Sequence, residues 1–373
     1  MPSHVLFLLH GIGQRAPADA TDQPKAAVEA WPKAPVELLI KLARTYAPEV
    51  EVSLKPDTAG VRIVPLSYCD LIVRQIADWA EFGSRDVAAA VRQRFATVAP
   101  ILGALQGISD ADAPFFWNGP VDLLFYRFFF DRDIRTHVRE QIADALTPPG
   151  AGDTMPSCSF ICHSMGTSVL HDTLHEMLTD PDTFAGFANL DIQCYASVAN
   201  VSTVMRSLID PHASAVRPIG ALPGNTVRAS VRRFINVRHR FDPVVLLGMF
   251  KPFWPTNKRF YRQITIEQLK WTDVHGLVRY LEHPRVHIPI LRVVCGAEID
   301  RPTEERAIAD YEAGPGDPCP AALQGLRERV ELLGQTWEAR ASQGPVDYAV
   351  ALVGAWKAFD RVRRECGQGG FIS

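Results

Sequence analysis

Long hydrophobic runs are missing from this chain. Its most apolar segments, 121–130 and 244–250, fall well short of the ~20 apolar residues a membrane-crossing helix needs, and Arg127, Asp242 and Lys251 interrupt or bound them. No transmembrane segment is expected. The amino-terminal residues lack a basic stretch and a small-residue cleavage site, so no secretory leader is expected either. Charge of one sign is missing too. Lys and Arg number 39 against 42 Asp and Glu, a net charge of −3, and no chain-wide attraction to nucleic acid is expected. Paired cysteines are missing as well. The seven, at positions 69, 158, 162, 194, 295, 319 and 366, form no Cys-x-x-Cys pair and are odd in number, which suits free thiols in a reducing compartment, the cytoplasm.

Motifs for common cofactors are also lacking. No Gly-Lys-Ser/Thr phosphate loop occurs, and Gly11-Ile12-Gly13 runs into Gln14-Arg15-Ala16 instead of the spacing of a dinucleotide fingerprint. His171 and His175 lie one helical turn apart but without the glutamate of a His-Glu-x-x-His site, so they read as a solvated polar face. No cofactor and no metal is expected.

What the chain does have is apolar content. Hydrophobic residues at 47% exclude a disordered polymer, and 373 residues suffice for two or three ordinary domains or for one large α/β unit with insertions. Residues 5–9 (VLFLL) form a short continuous apolar run of the kind that suits a parallel strand buried on both faces. Further strands are read at 61–66, 157–162, 191–199 and 231–237, with a short last one at 263–266. Helices are read at 36–46, 70–82, 84–99, 133–146 and 167–178. In the fourth of these Ile134, Val138, Ile142 and Leu146 repeat every four residues. Strands alternating with helices predict a mostly parallel sheet covered on both faces. Beyond 298 the character changes, and two helices at 321–341 and 346–366 are read as an antiparallel pair.

The most specific feature is Ile161-Cys162-His163-Ser164-Met165-Gly166. A strand ends, the chain must turn sharply, and a helix begins, which sets Ser164 at the tip of the turn. Neighbours two positions away must be small: Gly166 satisfies this, and Cys162 stands where the Gly-x-Ser-x-Gly pattern has its first glycine. With the segments LLHGIGQ (8–14), DLLFYRFFFDRDIRTHVREQIADAL (122–146), FICHSMGTSVLHDTL (160–174), FINVRHRFDPV (234–244) and DVHGLVRYLEHP (273–284), the chain resembles the α/β-hydrolase superfamily, and within it bacterial lipase-like serine hydrolases of undefined substrate. The resemblance covers about residues 5–290. It implies an α/β-hydrolase fold, a central eight-stranded sheet and Ser-Asp-His catalysis. Residues 1–290 then form the catalytic domain, with a helical lid-like insertion at about 69–130. Residues 291–373 form a mostly helical extension packed on it.

A serine hydroxyl needs a base, and that base needs an orienting carboxylate, in the chain order Ser, acid, His. Asp242 is the candidate acid, since it follows the apolar strand 234–237 and precedes Pro243; Asp210 is the rival. His275 is the candidate base, ahead of a short helical pattern at 277–281; His283 is the rival, and Asp273 reads as a loop or capping residue. Backbone N–H groups of Met165 and of Ile12 or Gly11 are the expected oxyanion donors, glycine allowing close approach, and His10 is expected to anchor that loop.

The aromatic stretch 115–130 packs in a core by default, but its place between strands also suits a cap lining an apolar acyl pocket. Trp117, Phe128 and Phe129 are the residues assigned to that pocket, and Phe250, Phe253, Trp254, Phe260 and Tyr261 could extend its wall. Arg228, Arg232, Arg233, Arg238 and Arg240 read as a solvated strand face with salt bridges, the alternative being attraction to an anionic head group or peripheral contact with an acidic membrane. The expectation is a serine hydrolase cleaving a small or lipid-like carboxylic ester. The alternatives are thioester cleavage or acyl transfer at the same site, or a silent hydrolase-like scaffold that binds lipid or protein.

Overall fold

The computed structural model describes residues 4–11, 31–68, 71, 131–147, 155–180, 187, 190, 192–202, 214–219, 230–246, 250, 252, 257–316, 323–325, 327–328 and 330–331. The helices expected at 70–82, 84–99 and 346–366, the aromatic stretch 115–130 with Trp117, Phe128 and Phe129, and the candidates Ile12 and Asp210 lie outside the described residues. Of the helix expected at 321–341, the described residues are helical.

Seven strands form one sheet among the described residues: β1 (His4–Leu9), β2 (Val52–Ser53), β3 (Val61–Leu66), β4 (Ser157–His163), β5 (Ile192–Val198), β6 (Phe234–His239) and β7 (Tyr261–Ile266). Their order is β2-β3-β1-β4-β5-β6-β7, and every neighbouring pair is parallel. The chain is thus of the α/β class, with one described strand fewer than the eight implied by the resemblance. Helices α1 (Lys33–Tyr46), α2 (Asp131–Leu146), α3 (Gly166–Thr179), α4 (Pro243–Leu246), α5 (Leu277–Glu282), α6 (Pro284–Val294) and α7 (Arg301–Ala313) complete the described elements.

The apolar run of β1 is explained by its two covered faces. Successive side chains point to opposite sides of a strand. Val5, Phe7 and Leu9 therefore join a core with the stripe Ile134, Val138, Ile142 and Leu146 of α2 and with Val169, Leu170 and Leu174 of α3. Leu6 and Leu8 join a second core with Leu39 of α1, Tyr280 of α5 and Ile288 of α6. Phe7 stacks on Phe160 of β4 with ring centroids 4.9 Å apart, fixing the centre of the sheet.

Three differences from the sequence reading have physical reasons. Strand β6 begins at Phe234, because Val231 makes only isolated bridges to Ile192 and Pro218, and it runs on to His239 in register with Ile266. Helix α6 spans Pro284–Val294 and crosses position 290 without a break: Pro284 starts it, where a missing N–H costs nothing, and Pro289 lies inside it at the cost of one helical hydrogen bond. Helix α7 opens where Asp300 caps it, its side chain accepting from the N–H of Thr303 at 2.8 Å. No described helix is long and apolar enough to cross a membrane.

Candidate active site

The site forms where β1, β4, β6 and β7 end, at the carboxyl ends of the parallel strands. At the end of β4 the backbone of Ser164 takes φ of 52°, a left-handed conformation that costs a non-glycine residue energy. The turn is held from both sides. Ser164 N–H donates to the carbonyl of Val198 at 3.0 Å, and the Ser164 carbonyl accepts from the N–H of Thr167 at 2.9 Å and from its hydroxyl at 2.7 Å. Ala199, at the end of β5, is the only other described non-glycine residue with positive φ.

The small-residue requirement is met in two different ways. A Cβ on Gly166 would lie 2.3 Å from the carbonyl oxygen of His10, so position 166 admits only glycine. Cys162 instead faces the core, where its Sγ lies 3.6 Å from the Ala196 carbonyl and burial pushes the thiol up to about 12. That thiol stays protonated at neutral pH and is no nucleophile. Cys158, Cys194 and Cys295 are likewise buried thiols outside any disulfide.

Beside the elbow runs the end of β1. A Cβ on Gly11 would meet the Ser164 Cβ at 2.6 Å and His163 Nδ1 at 2.9 Å. The carbonyls of His10 and Gly11 both accept from the Tyr68 hydroxyl at 3.1 Å, and the His10 ring stacks on Tyr68 at 4.3 Å, the anchoring expected of His10. Gly11→Ala is expected to destabilise the fold by about 1–3 kcal/mol, the usual cost of overpacking. A thermal melt checks this against Gly325→Ala, whose Cβ would meet nothing within 4 Å. Equal melting of the two variants would contradict the crowding at Gly11.

Asp242 follows β6 and opens α4. Its Oδ1 accepts from the N–H of Val244 at 3.0 Å, as a helix cap does. Its Oδ2 lies 2.8 Å from His275 Nδ1, and His275 Nε2 lies 3.0 Å from Ser164 Oγ. Ser164, Asp242 and His275, 111 and 33 residues apart along the links, thus form one hydrogen-bonded chain, and all three are buried. Burial alone would raise the Asp242 carboxyl. The adjacent His275 ring, its hydrogen bond and that of Tyr280 outweigh burial and hold it below the ordinary carboxylate range.

Three residues of this site escaped sequence reasoning. Tyr280 of α5 donates its hydroxyl to Asp242 Oδ2 at 2.7 Å. His163, next to the elbow, donates from Nε2 to the His275 carbonyl at 2.6 Å; burial first, then the neighbouring His275 ring, pushes it down to about 3, so it stays neutral. His239 donates from Nε2 to the Gln268 carbonyl at 3.1 Å and accepts the Phe241 N–H at Nδ1, stapling the end of β6 to the loop that carries His275. The same end of that loop is gripped by α7. Gln268 donates to the Glu312 carbonyl at 3.1 Å, Trp271 donates to the Tyr311 hydroxyl at 3.3 Å, and the Lys270 ammonium donates to the Tyr311 carbonyl.

The other candidates find different places. His283 caps α6, its Nδ1 accepting from the N–H of Arg285 at 3.2 Å, and so is not a base for Ser164. Asp273 sits in the loop with its carboxylate against Gly276. Met165 precedes the first turn of α3, where N–H groups have no partner within the helix, and Gly11 lies alongside. Phe250 and Tyr261 do not extend a pocket wall: both pack on Phe234, at the opposite end of β6 from Asp242, with ring centroids 5.9 Å away. Nor do His171 and His175 form a solvated face. His171 Nε2 lies 2.8 Å from the Ser214 hydroxyl, and His175 Nδ1 accepts the Ala215 N–H at 3.1 Å, so both tether that segment to α3. Arg238 donates to Thr265 at 3.0 Å and Arg240 pairs with exposed Glu267, in keeping at these two positions with a strand face that carries polar and ionic pairs. No three metal-ligating side chains converge among the described residues.

No protein-family model matches the chain, and no curated protein matches it in sequence.

Proposed function

We propose that this protein is a serine hydrolase of the α/β-hydrolase superfamily that cleaves carboxylic esters through an acyl-enzyme. The observation that carries the reading is the unbroken link from Ser164 through His275 to Asp242 on a strained strand-to-helix turn. Ser164 Oγ bonds to the ester carbonyl carbon while its proton passes to His275 Nε2. The oxyanion that forms is met by the N–H of Met165 and by that of Gly11 or Ile12, one such donor being worth about 2.7–4 kcal/mol in the transition state. The carbon–oxygen bond to the alcohol then breaks and His275 returns the proton to that alcohol. Water, deprotonated by the same imidazole, frees the acid and restores Ser164. Asp242, kept ionised, holds His275 with Nδ1 protonated and Nε2 free to accept.

The reading extends to an apolar acyl group under a cap formed by the insertion at about 69–130, with Trp117, Phe128 and Phe129 against it, and to a helical extension over 291–373. It also includes a reducing, cytoplasmic setting, which the four buried thiols outside any disulfide suit. A fluorophosphonate probe tests the core of it. Labelling of the wild type and its loss in Ser164→Ala is the expected result; a wild type that stays unlabelled would make the protein a binding scaffold instead.

A further inference from the structure

Asp242 holds more donors than orienting an imidazole requires. Oδ1 is occupied by the Val244 N–H at 3.0 Å, with the Val245 N–H at 3.5 Å. Oδ2 receives two donors at once, His275 Nδ1–H at 2.8 Å and the Tyr280 hydroxyl at 2.7 Å. The direction of the tyrosine bond is fixed by its other partner. The Tyr280 oxygen accepts the backbone N–H of His239 at 3.0 Å, so its single proton points at the carboxylate. Tyr280 is 1% exposed and held in the core by α5, which leaves water little room to take its place.

We infer that Tyr280 is a positioning residue that sets the basicity of His275 by sharing the carboxylate oxygen to which His275 donates. A carboxylate oxygen that already accepts one short hydrogen bond has less charge to offer a second donor. The imidazolium form of His275 gains less from Asp242 than it would from a carboxylate facing it alone. A neutral ring is what can take the Ser164 proton, so the inference rests on the proposed reading of His275 as the base. Among the described residues the other titratable groups here are the His163 ring, 4.9 Å from that of His275, with His10 behind it, the His239 ring 6.3 Å from Tyr280, and the carboxylate of Asp273, whose charge bears on Tyr280. All of them remain in Tyr280→Phe, which removes only the hydroxyl.

The test is an NMR titration of the full-length chain with isotopically labelled histidine, the His275 ring being assigned by its loss in His275→Asn. In Tyr280→Phe the His275 midpoint is expected to move up by about half to one pH unit, a part of the effect one nearby charge exerts. The acid limb of kcat/KM for an aryl ester is expected to move up with it, while KM stays unchanged. A folded Tyr280→Phe whose His275 titrates as in the wild type overturns the inference. Should this variant not fold, the wild type decides: a slowly exchanging Tyr280 hydroxyl proton with a cross-peak to the His275 Nδ1 proton supports it, and absence of that cross-peak overturns it. Both NMR readouts are independent of turnover. A shifted midpoint in an unlabelled, inactive protein would sink the esterase reading alone, and an unshifted midpoint in an active one would sink only the role of Tyr280.

Discussion

Asp242→Asn is expected to lower kcat on an aryl ester by about four orders of magnitude, against about six for Ser164→Ala. The size of the effect follows from which way the amide must face. The oxygen at the Oδ1 position serves the N–H groups of Val244 and Val245, both donors, so the amide oxygen stays there. That turns the amide nitrogen towards His275, at the place of Oδ2. An NH₂ in that place donates, and His275 Nδ1 can meet it only as an acceptor. The ring proton then moves to Nε2, the atom facing Ser164 Oγ, and the base has no lone pair for the serine proton. The tyrosine hydroxyl loses its acceptor as well. Steady-state kinetics with intact folding checked by thermal melting is the measurement; an asparagine variant with wild-type turnover would remove Asp242 from the mechanism.

Acid is expected to unfold this protein well above the usual carboxylate range. Five buried histidines are held neutral by burial: His4, His239 and His287 are pushed down to about 4, and His163 and His283 to about 3, from 6.5. The unfolded chain takes up protons at these rings from about pH 6.5 downward, while the folded chain refuses them. Stability is therefore complete above 6.5 and falls as the pH drops towards about 4. By pH 5.5 each ring costs about 1 kcal/mol, and the five together on the order of 5 kcal/mol, comparable with the whole stability margin of many domains. The depressed Asp242 adds its own loss only at lower pH, as the carboxylate is protonated. Melts at pH 7.5, 6.5 and 5.5 should show the midpoint falling by about 6 °C over the lower step. His287 is an informative position: its Nδ1 donates to the Leu281 carbonyl, while Nε2 has no partner among the described residues, so a proton there would be stranded. A melting point unchanged down to pH 5.5 would contradict this account.

The elements legible in the sequence are those whose own residues carry the signal. VLFLL is uninterrupted because both faces of β1 are covered, and the four-residue stripe of α2 marks the single face it buries. Ser164 could be read because a strand, a small-residue turn and a helix follow one another locally. Asp242 could be read from its place after a strand and His275 from its place ahead of a short helix, and the hydrogen-bonded chain brings both to Ser164. What could not be read lacks a local signature. Helix α7 buries none of its residues and so has no apolar stripe; its one sign was the cap at Asp300. Arg238 and His239 look like loop residues, yet each stays in β6 because its side chain finds a partner on or beyond β7. Tyr280 and His163 act over separations of 38 and 112 residues, and no spacing rule announces such pairings.

The middle of the sheet carries a consequence for how the protein is made. Its adjacent strands β1 and β4 bring together residues 153 positions apart, so the first strand to leave the ribosome must wait, unpaired on that side, for the fourth. The hydroxyl at 164 meets its imidazole later still, only after position 275 has emerged. Until then it lacks that imidazole, and on the proposed reading its reactivity begins only once translation has passed that point.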